Sequence, residues 1–140
     1  MNSNSSPSRL AQFGLLQVAV GFAIFVIGIF PGLIGLDITP GIGLVQIAVF
    51  LVGMTFMTLG SYTYLYASRH RGQPARLRKD IGGRLMATGI VVAYASGFAD
   101  VLGIGSHYGT ERPLFGLFQA AGVAVSALII ILGIFLYSRK

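Results

Sequence analysis

Asp100 is the residue whose type and position in this sequence best suit chemistry. It lies near the end of a long apolar segment, where a carboxylate in a membrane helix is costly unless it faces a partner or water. His107, Glu111 and Arg112 follow shortly afterwards, and Arg112 or His107 would offer it an opposite charge. We predict that these residues form one outward-facing polar site. The alternative is an interfacial acid that reaches water where the helix end frays.

The rest of the sequence offers no recognisable catalytic or metal-binding set. Its two histidines, His70 and His107, fall in loops predicted on opposite sides of a membrane, so they cannot share a metal ion or a haem. Paired carboxylates, a serine nucleophile elbow and a phosphate-binding loop are missing from the sequence. Without cysteine, disulfides and thiol redox chemistry are excluded. We therefore predict no catalytic residues, no cofactor, no metal and no enzyme activity.

Four long apolar segments must position the polar residues. The chain is 54% hydrophobic and 10% charged, whereas a soluble domain has about a quarter of its residues charged. The segments 13–36, 42–66, 81–104 and 114–137 each exceed the roughly 20 residues that cross a bilayer as a helix. None alternates like a barrel strand. The sequence therefore predicts an all-α integral membrane protein of four transmembrane helices after a polar, disordered tail over 1–12.

The basic residues predict the orientation of these helices. The net charge is +6, and the bases fall at one set of helix ends, with Arg112 the exception. By the positive-inside rule those ends, and both termini, are cytoplasmic in a cell membrane. The outer loops are then 37–41 and 105–113, and the basic cytoplasmic loop is 67–80. Pro31 further predicts a kink or an early helix end near Phe30.

The basic loop is predicted to contact anionic lipid headgroups, at roughly 1 kcal/mol for each base near the surface. The residues concerned are Arg69, Arg71, Arg76, Arg78 and Lys79. Topology signalling alone would explain the same charges. Beyond net charge, nothing in the sequence favours binding to nucleic acid.

The two halves of the chain are similar to each other. The string Pro40-x-x-Gly43-Leu44-x-Gln46 returns as Pro113-x-x-Gly116-Leu117-x-Gln119. Glycines in the preceding helices also match: Gly14 with Gly82, Gly21 with Gly89, and Gly35 with Gly103. Because each copy holds two crossings, the copies have the same orientation and are related by an axis along the membrane normal. The repeat predicts a pseudo-twofold four-helix bundle made of two helical hairpins.

Small residues recur at a seven-residue spacing in all four helices, as in Gly14, Gly21, Gly28 and Gly35. This spacing keeps one face on a left-handed seam, and small residues let membrane helices approach closely. Gln46 and Gln119 lie on these seams and are predicted to act as interhelical amides, at about 1 kcal/mol. A solute-binding amide pair is the alternative.

These features favour a structural or accessory subunit of a membrane complex. Its expected partners are the lipid bilayer, with its anionic headgroups, and either another membrane protein or further copies of the chain. A small homo-oligomeric transporter or channel that uses the outer acidic site is the alternative, and a membrane enzyme has the least support. The first segment carries no charge before Asp37, which argues against a small four-helix proton-coupled drug exporter.

Overall fold

The computed structural model describes residues 8–35, 43–70, 77–104 and 115–139. Four long helices dominate it: α1 (Arg9–Ile29), α2 (Leu44–Leu65), α3 (Leu77–Gly97) and α4 (Leu117–Ser138). A 3₁₀ segment, Pro31–Ile34, follows α1, and a π-helical turn, Tyr66–His70, extends α2. All regular secondary structure in these ranges is helical, as the sequence predicts.

The start and the end of α1 have identifiable local causes. The helix begins at Arg9, so residues 9–12 belong to it rather than to the predicted tail. Ser8 caps this start, because its side chain accepts a hydrogen bond of 3.3 Å from the Ala11 N–H. The helix ends at Ile29, and Pro31 opens the 3₁₀ segment. The predicted early end near Phe30 is therefore confirmed.

Helix α3 begins and ends earlier than the predicted segment 81–104. Its first turns are charged, and Asp80 pairs with Arg84 across 3.0 Å, an i,i+4 contact that favours helix. Beyond Gly97 the chain turns, and Gly103 adopts a left-handed φ of 73°. Within the described ranges, three helices are long and apolar enough to cross a membrane: Arg9–Ile29, Leu44–Arg69 and Leu117–Ser138. The charged start and early end of α3 leave it outside this set.

Glycine seams hold α1 against α2 and α3 against α4. A Cβ atom added at Gly21 would lie 2.7 Å from the Met57 nitrogen, so the two backbones are in direct contact. The second hairpin repeats this approach, because a Cβ at Gly82 would lie 2.8 Å from the Gly133 oxygen. The buried residues of α1 are all small: Ala11, Gly14, Gly21 and Gly28. Its larger apolar side chains point mostly outward.

Helix α2 lies at the centre of the molecule. Its residues Ile47, Phe50, Leu51 and Met54 form a buried cluster with Ala93 of α3 and Ile130 of α4. The Phe50 ring meets Phe25 of α1 edge-on, at a centroid distance of 6.3 Å. In the described ranges α1 has no extended interface with α3 or α4. The hairpins therefore pack side by side, with α1 on the outside.

This arrangement departs from the pseudo-twofold symmetry that the repeat predicts. Under that symmetry, a contact between α2 and α3 would be matched by one between α4 and α1. On α3, small residues admit α2: Ala93 is fully buried, and Gly97 lies against Leu51. The aligned positions of α1 are Phe25, which packs against Phe50 of its own hairpin, and Ile29, which is exposed.

Candidate functional site

Asp100 lies in the turn after α3. Its side chain is half-buried and engaged in an interaction with the protein, and one carboxylate oxygen, Oδ2, is fully enclosed. Its backbone oxygen accepts a hydrogen bond of 3.2 Å from the Gly103 N–H, which stabilises the turn. His107, Glu111 and Arg112 lie outside the described residues. The polar site around Asp100 therefore stays a prediction.

Gln46 and Gln119 each cap the start of their own helix. The Gly43 N–H donates to Gln46 Oε1 at 2.7 Å, and the Gly116 N–H donates to Gln119 Oε1 at 2.8 Å. A glutamine at the third helical position can reach back in this way, and the Gly-x-x-Gln spacing is the signal for it. The amide oxygens therefore have intrahelical partners, while the interhelical bond stays a prediction.

We expect Gln46→Leu to lower the free energy of unfolding by about 1 kcal/mol, because the Gly43 N–H loses its acceptor. Gln46→Glu keeps an acceptor oxygen, loses the amide donor and adds a negative charge that the N-terminus of α2 favours, so its loss should be smaller. Unfolding by sodium dodecyl sulfate in mixed micelles, followed by circular dichroism, measures both. If the two variants lose equal stability, the interhelical donor matters more than the cap.

The basic end of the molecule is where α2 and α4 end and α3 begins. Arg69 Nη1 donates a hydrogen bond of 2.8 Å to the Ser138 backbone oxygen, which ties α2 to the last turn of α4. The carbonyls of that turn have no intrahelical donor and carry negative partial charge, so a guanidinium is well placed there. Arg69 therefore has a structural partner. Arg71 and Arg76, also predicted to contact headgroups, lie outside the described residues.

A groove of about 580 Å³ opens at this end between α2 and α3. We call it the inter-hairpin groove. Its polar rim is formed by Lys79, Asp80 and Arg84 of α3. Three tyrosines, one threonine and an apolar set complete the lining: Tyr62, Tyr66, Tyr137, Thr58, Leu59, Gly83, Met86, Ala87 and Ile90.

The tyrosines form one aromatic wall of the groove. Tyr62 and Tyr66 stack with centroids 6.5 Å apart, and Tyr62 lies 5.1 Å from Tyr137. The hydroxyls of Tyr62 and Tyr137 also share a hydrogen bond. A tyrosine joins an apolar ring to a polar tip, which suits the boundary between apolar and aqueous surroundings.

The inter-hairpin groove is not evident from the sequence. The sequence places Lys79 in a loop, whereas the structure places it in α3 with only 8% of its surface exposed. Charged, aromatic and apolar walls in succession can hold an amphiphilic molecule. No protein-family model, no curated protein and no solved structure gives a significant match to the chain.

Proposed function

We propose that this chain is a multi-pass integral membrane protein that serves as a structural or accessory subunit of a membrane complex. In this proposal all four helices span the membrane, and both termini are cytoplasmic. Among the residues that the structure describes, three helices have the length and composition for spanning. The fourth, α3, is joined by a glycine seam to α4, which is one of the three.

The side-by-side packing of the helices is the observation that carries this proposal. In the described ranges, α2 separates α1 from the other hairpin, so the helices do not surround a common axis. A passage through one copy would need such an axis. The outer face of α1 instead presents a broad apolar surface: Leu15 and Leu16 are each more than 60% exposed. Such a surface suits lipid and the helices of a partner.

We also propose that the chain arose by duplication of one helical hairpin. Gly14 and Gly82, aligned by the repeat, approach the backbone nitrogens of Tyr64 and Tyr137 in the same way. Gly35 and Gly103 are both left-handed, with φ of 70° and 73°. Each also donates to a carbonyl at 3.2 Å, in Gly32 and in Asp100, which the repeat aligns. These matched backbone contacts support a common origin of the two hairpins.

The accessory role is tested by gentle detergent extraction of the tagged protein from its native membrane, followed by native mass spectrometry. We expect a foreign membrane protein to accompany the chain in a fixed stoichiometry. Deleting that partner should then lower the cellular level of this chain, because the apolar outer face of α1 would no longer be covered by the partner. Recovery of the chain only as a homo-oligomer, with no foreign protein, would contradict the accessory role.

Transport remains the second candidate because of the enclosed oxygen of Asp100. An ionisable group inside a membrane protein commonly marks an ion or substrate pathway. We expect Asp100→Asn to leave expression, stability and growth unchanged if the chain is an accessory subunit. Loss of flux in liposomes for Asp100→Asn, but not for the exposed Asp80→Asn, would contradict this and favour transport.

A further inference from the structure

We propose that the inter-hairpin groove binds one anionic phospholipid, with its headgroup phosphate at Lys79 and its acyl chain along Leu59, Met86 and Ile90. The inference rests on the proposed membrane function. It goes beyond general attraction of a basic loop to a charged surface, because it names one lipid and one groove. Three properties of the groove carry it: its polarity along the helix, its charge, and the space within it.

The groove changes from polar to apolar along α3. Its charged residues come first in the helix, at Lys79, Asp80 and Arg84, and its apolar residues follow, at Met86, Ala87 and Ile90. At about 1.5 Å of rise per residue, the distance from Lys79 to Ile90 is about 16 Å. This length matches a headgroup followed by the upper part of an acyl chain rather than a small soluble anion.

The charge of the rim is positive. Asp80 and Arg84 form an ion pair at 3.0 Å and largely neutralise each other, so Lys79 determines the net charge. An ammonium that is only 8% exposed has lost most of its hydration, and nearby negative charge reduces the cost of keeping it charged. Lys79 also has an interaction within the protein, and a phosphate in the groove would add negative charge close to its ammonium.

One glycine in the lining leaves open space in the groove. A Cβ added at Gly82 would collide with α4, whereas a Cβ at Gly83, the next residue, would have no neighbour within 4 Å. Gly83 lines the groove. A large side chain at this position would therefore occupy the groove without changing any charge.

The test uses the full chain in a non-ionic detergent and native mass spectrometry with added phosphatidylglycerol or phosphatidylcholine of identical acyl chains. We expect one phosphatidylglycerol to be retained in preference to phosphatidylcholine. Lys79→Gln should weaken phosphatidylglycerol binding roughly fivefold. The matched control is Arg78→Gln, which removes the same charge from an exposed neighbour outside the groove and should have little effect.

Gly83→Leu should reduce the binding of both lipids, because it fills the groove. It tests the site independently if Lys79→Gln does not fold. If Lys79→Gln and Arg78→Gln lost phosphatidylglycerol binding equally, or if Gly83→Leu bound the lipids as well as the parent, the proposal would be overturned. General electrostatic attraction between the basic surface and the lipid would then explain the binding. Displacement of the lipid by excess inorganic phosphate would assign the site to a free anion instead. A chain that stays monodisperse without detergent would refute the membrane function itself, which is a separate failure.

Discussion

Gly82→Ala is expected to lower the free energy of unfolding by about 2 kcal/mol, because the new methyl group overpacks a backbone contact. A Cβ at this position would lie 2.8 Å from both the Gly133 oxygen and the Tyr137 nitrogen. These are backbone atoms of α4 and cannot rotate away as a side chain would. The two helices must separate or shift along their whole seam. Titration with sodium dodecyl sulfate in mixed micelles, followed by the helical circular dichroism signal, measures the loss.

Gly83→Ala is the matched control, one residue further along the same helix. No atom lies within 4 Å of the Cβ that it adds, and alanine is favoured over glycine in a helix by up to about 1 kcal/mol. We expect this variant to be as stable as the parent or slightly more stable. If both variants lost similar stability, the seam between α3 and α4 would not be the close contact that the structure describes.

Leu51→Ala is expected to loosen the two hairpins from each other, at a cost of about 2 kcal/mol. Leu51 has no exposed surface and packs against Gly97, where α2 meets α3. In a membrane, packing an apolar side chain does not remove it from water, so the hydrophobic effect contributes little. The cavity left by the substitution still removes dispersion contacts from the residues around it. Because α2 joins the hairpins, the loss falls mainly on the contact between them.

The absence of native cysteine makes this effect measurable by spin labelling. One label at Leu16→Cys and one at Ile131→Cys occupy exposed positions on different hairpins. We expect Leu51→Ala to broaden the distance distribution between these labels. Leu128→Ala, which truncates a leucine 65% exposed on α4, should leave it unchanged. A narrow distribution in both variants would show that Leu51 does not hold the hairpins together.

The helical class and the close seams are local properties of the sequence. A run of apolar residues that is long enough to cross a bilayer, and that does not alternate with polar residues, indicates a helix wherever it lies in the fold. Glycines seven residues apart leave the backbone uncovered on one face of a helix. The sequence therefore indicates that a neighbouring helix can approach closely at Gly14, Gly21 and Gly28. The early end of α1 is likewise local, because Pro31 removes a backbone donor.

Contacts between distant segments were decided only by the tertiary structure. Periodicity shows which face of α2 is small, but not that α3 meets α2 at Ala93 and Gly97 while α1, in the described ranges, has no extended interface with α4. The groove that Lys79 lines also depends on this choice, because its walls come from both α2 and α3. The physical reason is that packing depends on which side chains face each other, and sequence spacing carries no information about the opposite helix.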